Sequence, residues 1–237
     1  MIHAYTEKPE GWNECAIHPL ISWEWGEARQ KMGIEVVRLG EVESGKLVDV
    51  SQMTFHSLPH TPYVIGYVPR TRIPSPDMLK ALNDIAKQHS AIFVKFEPYV
   101  KHSEVKQEHD YFFTGTVHSN HPLFPKWTQM LDLTRDEDEL FAALKPKWRY
   151  NVKLAHKKGV HVREMTTDAG FDVFAKLYFE TTRRQEYAGH SKQYHKTVFE
   201  TLKDSMSHIL VAWYDGVPLG AYHVFLFNNV LYYPYGG

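Results

Sequence analysis

The sequence predicts a soluble two-domain α/β protein, and three observations carry that prediction. A β-α-β unit can be read between Tyr63 and Phe96, a capping signal reopens helical structure at Thr134 after a polar stretch, and a strand meander closes the chain. The last strand runs into Tyr235-Gly236-Gly237, which ends a strand and not a fold, so the second domain is expected to be incomplete. With 237 residues, 43% of them hydrophobic and 14% aromatic, the chain can fill two cores. A formal charge of -1 gives no attraction of the whole molecule to a polyanion or an anionic membrane, so such a partner has to be met by a local patch.

In the first domain, residues 1–126, Ser22 can cap a short helix that Gly33 stops. Ile34–Leu39 and Lys46–Phe55 are rich in β-formers around Glu43-Ser44-Gly45-Lys46, which reads as a hairpin, with a third strand at Tyr63–Val68. Pro76 suits the first turn of a helix whose Met78, Leu79, Leu82, Ile85 and Ala86 follow helical spacing. Ala91–Phe96 then reads as a buried strand. Lys101–Lys126 is polar and carries few periodic cues, and its latter half reads as a linker, with the domain boundary near Lys126.

The second domain, residues 127–237, opens with Trp127–Leu133 as a strand, and Thr134-Arg135-Asp136-Glu137 reads as a capping box for a helix to about Leu144. Pro146 starts another helix, Gly159 stops it, and Phe141, Leu144, Trp148, Val152 and Ala155 are spaced to share one buried stripe. A strand at Val160–Met165 leads to a helix with Phe171, Phe174 and Tyr178 on one face, and Ser191 caps a further helix carrying Tyr194, Val198 and Leu202. His208–Tyr214, Gly220–Phe227 and Val230–Tyr235 form the meander, turned at Asp215-Gly216 and Asn228-Asn229.

The sharpest chemical feature is Lys145–Arg163, with seven Lys or Arg and no Asp or Glu. Lys147, Arg149, Lys153, Lys157 and Lys158 are candidate contacts to a nucleic-acid backbone, and a solvated basic face is the competing reading. The fifteen histidines lack ligand spacing, so no metal site is expected. No Gly-x-Ser-x-Gly elbow and no phosphate-cradling Gly-rich loop occur. Cys15 is the single cysteine, which excludes an internal disulfide and suits a reducing compartment. With neither a signal peptide at the N-terminus nor an apolar run long enough to span a membrane, the cytoplasm is the expected location. Tyr235 beside two glycines is a candidate substrate contact, because glycines let a ligand approach the backbone.

Several segments in order, among them SWEWGEARQKMG, IFVKFEPYV, KWTQMLDLTRDEDEL, KPKWRYNVKLAHKKGV, GHSKQYHKTVFETL and YDGVPLGAYHVFLFNNVLYYPYGG, together resemble the Fem-type peptidoglycan bridge aminoacyltransferases, the methicillin-resistance factors. The resemblance runs from about Ser22 to Gly237. It implies two tandem GNAT-like domains with mixed, mostly antiparallel sheets flanked by helices. It also implies transfer of an amino acid from aminoacyl-tRNA to a stem-peptide amine of a peptidoglycan precursor, lipid-linked or UDP-linked. No cofactor is implied beyond aminoacyl-tRNA as co-substrate, and a monomer that meets the membrane surface only through its substrate is expected.

By position in the matching segments, Arg29 stands near the family's precursor-phosphate lysine, and His190 stands at a phosphate-binding arginine position with Lys192 as a further cation. Tyr194 and Tyr235 match substrate contacts, and Glu97 stands where the family has an acidic residue proposed as a base. The family carries a further helix-strand segment with a cationic residue beyond Gly237, so this chain is expected to keep the binding surfaces and to transfer poorly or not at all. Two other readings are an acyl-CoA-dependent GNAT acyltransferase, whose Arg/Gln-x-x-Gly-x-Gly/Ala turn is absent, and a non-catalytic RNA-binding module.

Overall fold

The structure, a computed structural model, describes residues 1–237. It is a mixed α/β protein with two sheets flanked by helices, as the sequence predicts. In chain order its elements are β1 (Ile2–Ala4), α1 (Trp12–Cys15), α2 (Trp23–Lys31), β2 (Glu35–Glu43), β3 (Lys46–Ser57), β4 (Val64–Pro69), α3 (Pro76–Gln88), β5 (Ala91–Glu97) and α4 (Asp110–Thr114). There follow α5 (Glu137–Ala143), α6 (Pro146–Lys157), β6 (His161–Glu164), α7 (Asp168–Arg184), α8 (Lys192–Leu202), β7 (Ser207–Tyr214), β8 (Val217–Phe227) and β9 (Val230–Gly236).

The compact units are interleaved in sequence, unlike a linear cut near Lys126. One unit gathers Met1–Ser119, Ser191–Met206 and Leu226–Leu231, and the other gathers Asn120–His190, Ser207–Phe225 and Tyr232–Gly237.

In the first unit the sheet order is β1-β2-β3-β4-β5, antiparallel except for the parallel β4/β5 pair that α3 connects. Ser44 and Gly45 both have positive φ, the geometry of the tight hairpin turn that Ser-Gly suggests. Ser75 caps α3 through the Met78 N–H, and Pro76 fills its first turn. That helix buries Met78, Leu82 and Ala86 against Leu39, Met53, Phe55 and Val68 of the sheet. Helix α8 packs on α2, with Lys31 Nζ donating to Thr201 Oγ1 at 3.2 Å. The β8/β9 turn belongs to this unit too, because Asn228 Nδ2 donates to the carbonyls of Asn13 and Ala16 at 2.9 and 2.8 Å.

Beneath α2 lies Arg38 of β2, only 4% exposed. Its Nε donates to Gln52 Oε1 at 3.1 Å, and a terminal nitrogen donates to Gln30 Oε1 at 3.1 Å and to the Trp23 carbonyl at 3.4 Å. The guanidinium also lies 4.0 Å from the Trp23 ring centroid. Gly26 is what lets the helix come this close, since a Cβ there would run into Gln52 Oε1 and lie 2.6 Å from Arg38.

In the second unit the order is β6-β7-β8-β9. Helix α7, capped by Thr167, buries Phe171, Phe174, Ala175 and Tyr178, and the strands contribute buried Ile209, Val211 and Ala221. Asp215-Gly216 turns with positive φ at both residues, as expected.

Four expectations need correction. Trp127–Leu133 forms no strand: it finds no partner strand, and Trp127 is 90% exposed. Thr134 does not cap α5, because its N–H and hydroxyl both donate to Asp132, and Asp136 takes the cap by accepting from the Glu139 N–H at 2.7 Å. The Phe141-to-Ala155 stripe is not buried, with Trp148 61% exposed, and the chain is extended at Leu144, so α5 and α6 are separate pieces that do not carry one continuous face. Strand β5 is the sheet edge, and Ile92 and Phe93 stand about half exposed instead of sealed. The short elements β1 and α4 carry no periodic signal and escape a reading by pattern.

Replacing Gly26 by Ala should lower stability by about 2 kcal/mol, because α2 must lift or the buried Arg38 bonds must break. Urea denaturation of the G26A variant checks this, and an unchanged midpoint would remove the tight-approach argument.

Candidate active site

In the first unit a polar cluster forms at the C-terminal ends of β4 and β5. Pro69 pairs with Glu97 in the parallel register, so Tyr67, two residues earlier, leaves the sheet on the same face as Glu97. Tyr67 Oη donates to Glu97 Oε2 at 2.6 Å. Burial first, then the bond to Glu97, push the Tyr67 hydroxyl well above the usual tyrosine range, while Arg70 and Arg29 act in the opposite sense. Both guanidiniums therefore act electrostatically on Tyr67.

Arg29 projects from α2, its guanidinium 5.9 Å from the Tyr194 ring. Tyr194 stands in the first turn of α8, where its N–H is taken by the Ser191 hydroxyl at 3.1 Å. His56 of β3 bonds the Thr54 hydroxyl at 3.0 Å, and burial and Arg29 keep its pKa below the ordinary histidine value. Arg70 follows β4 with φ 44, an uncommon left-handed conformation for a residue with a side chain, and its N–H donates to the Glu97 carbonyl at 2.8 Å. Its guanidinium lies 5.7 Å from the Tyr99 ring, which in turn meets His18 edge-on. Burial and the Arg70 charge push the His18 pKa down to about 3.

Sequence reading selects Arg29, Tyr194 and Glu97, and the structure brings all three into this unit. It misses Tyr67, Arg70 and His56. The signal was present: a β-α-β unit sets the ends of YVPR and FEP side by side, and the carboxyl ends of parallel strands are where such sheets hold ligands.

The second unit holds a different cleft, of about 480 Å³, lined by Tyr178, Tyr187, His190, Tyr233 and Tyr235 among others. His190 and Tyr235 meet edge-on at 6.5 Å, so these two expected contacts do converge. Gly236 and Gly237 serve internal packing in place of ligand approach: side chains there would meet Tyr233 and Tyr222, and the backbone of Tyr178. Lys192, the first residue of α8, belongs with the first unit.

Helix α6 presents its cations unevenly. Arg149 turns back, donating to the carbonyls of Ala142 and Leu144 at the end of α5, and Lys153 lies 5.4 Å from the Phe141 ring. Lys147, Lys157 and Lys158 are exposed, the last two at the helix C-terminus where the helix dipole favours cations. No three His, Cys, Asp or Glu side chains converge as metal ligands would, and no helix is long and apolar enough to cross a membrane.

Within the first unit, Arg70 and Glu97 thus stand at the ends of the adjacent parallel strands β4 and β5, and Arg29 of α2 adds a second guanidinium to the cluster. Residues 16–216 match the FemAB family, and the chain belongs to it. It is 24% identical to a lipid II:glycine glycyltransferase of Staphylococcus epidermidis and 25% identical to one of Staphylococcus aureus, in each case over 76% of this chain. The chain spans about half the length of these curated relatives, 47% and 46% respectively. The crystal structure of FemX matches with a TM-score of 0.82 at 17% identity, over 99% of this chain and 80% of that one.

His18 gives a pH test of the cluster's frame. Its folded pKa of about 3 lies below the unfolded value near 6.5, so the unfolded chain binds the extra proton between these limits and stability falls as pH drops through that window. This group should contribute a slope of about 1.4 kcal/mol per pH unit near pH 4 to 5. The H18N variant, which keeps an acceptor for the Leu20 N–H, should show a slope smaller by that amount in urea titrations across pH, and an equal slope would refute the neutral buried state.

Proposed function

We propose that this chain carries the acceptor-handling part of an aminoacyltransferase of cell-wall synthesis. It moves glycine from glycyl-tRNA onto the side-chain amine of the stem peptide of lipid II. The observation that carries the reading is the Arg29–Tyr67–Glu97 cluster lying within the residues that match the FemAB family. The glycyl and lipid II assignments follow the names of the relatives.

The chemistry asks little covalent participation of the protein. An aminoacyl ester is already activated, so attack by the amine forms the amide C–N bond and breaks the ester C–O bond. The tRNA ribose hydroxyl leaves, and the amine proton ends on it. Two tasks remain. The acceptor amine has an ordinary pKa near 10.4, arrives as an ammonium ion and must lose a proton before attack. Glu97 can hold that ammonium and take its proton, while Arg29 and Arg70 supply positive charge for the precursor's phosphates.

Tyr194 borders Arg29 and contributes a face for the acceptor. The cleft of His190 and Tyr235 offers aromatic faces for a planar group such as a base or an ester, and Lys147 and Lys157 of α6, with Lys158 at its C-cap, suit a tRNA backbone. In this reading the protein works as a monomer on the cytoplasmic side of the membrane, meets the bilayer through lipid II, and needs no cofactor.

A single-turnover assay with protein in excess over labelled glycyl-tRNA detects slow transfer. Label should pass to lipid II, and E97Q should slow that step by about a hundredfold or more. Label that stays on tRNA, together with acyl transfer from an acyl-CoA to a free amine, would overturn the reading.

A further inference from the structure

Tyr67 and Glu97 share more than proximity. The parallel β4/β5 register sets both side chains on one face at the strand ends, and the 2.6 Å bond runs from the phenol to a single carboxylate oxygen, Oε2. Tyr67 is half-buried, and its hydroxyl stays protonated far beyond neutral pH, so it donates under all working conditions. A fixed donor on one oxygen locks the rotation of a carboxylate about its last torsion, which is otherwise broad and soft. The phenol is itself held by its strand, with His56 of β3 on one side at 6.5 Å between ring centroids.

We propose that Tyr67 is a positioning residue for Glu97: by occupying Oε2 it orients the carboxylate so that Glu97 meets the acceptor ammonium in one geometry. The inference rests on the reading that Glu97 receives the acceptor amine. Tyr67 acts through Glu97 and does not itself touch the peptide. Its conservative replacement, Tyr67→Phe, keeps the ring and removes only the donor.

The test is calorimetric binding of a synthetic stem pentapeptide with a free lysine side-chain amine, compared with the same peptide acetylated on that amine. Four proteins are measured: the unaltered chain, Y67F, E97Q and the double variant. Y67F should weaken the free-amine peptide about fivefold to tenfold, the scale of one ordinary net hydrogen bond, and E97Q at least as much. The double variant should bind no more weakly than E97Q alone, and the acetylated peptide should bind all four alike.

An equal loss from Y67F in the E97Q background would overturn the proposal, because Tyr67 would then act independently of Glu97. So would a Y67F protein that binds the free-amine peptide as tightly as the unaltered chain while E97Q binds it weakly. If E97Q leaves binding unchanged, the amine-holding role of Glu97 itself fails, a result distinguishable from the other two.

Discussion

The buried guanidinium of Arg38 is the constraint on which the first unit depends. Burial disfavours its charge, yet an arginine does not deprotonate in a protein, so every N–H it brings inside must find an acceptor. Gln52 on β3 accepts from Nε, and Gln30 on α2 and the Trp23 carbonyl at the start of α2 accept from one terminal nitrogen. These partners come from both the sheet and the helix, so satisfying Arg38 fixes where α2 lies. Gly26 is the geometric counterpart, leaving open the space in which the polar bonds form.

That anchoring reaches the candidate site through one residue of separation. Gln30 is held by Arg38, and its neighbour Arg29 carries the charge that acts on Tyr67 and His56 and lies against Tyr194. From the other side, α3 covers the sheet and returns the chain into β5, setting Glu97 beside the end of β4. A helix fixed by a buried charge and a strand fixed by a crossover thus present a cation and a carboxylate within one cluster. Rigid elements of this kind hold a binding geometry more closely than loops do.

Much of this frame was legible in the residues. Caps at Ser22 and Ser191, proline at 76 and 146, and the turns at 44–45, 215–216 and 228–229 act locally, so their short motifs suffice. What failed is what depends on partners distant in sequence. Trp127–Leu133 has strand-forming residues but no strand beside it, and Trp148 has helical spacing but nothing covering it. Arg149 looked like a phosphate ligand by charge, and only the geometry of two broken helices shows it bonded to the carbonyls of α5. Glu97 was readable from its segment, whereas Tyr67 became visible only through the parallel register, a relation between strands and not a property of either.

Backbone amide NMR of the isotopically labelled protein, titrated with the free-amine stem pentapeptide, reads directly where the acceptor binds. The largest shift changes should gather at Arg29, Tyr67, Glu97 and Tyr194 and fade when Glu97 is replaced by Gln. Changes confined to α6, or to the cleft around Tyr187 and Tyr233, with the β4 and β5 ends unmoved, would contradict it.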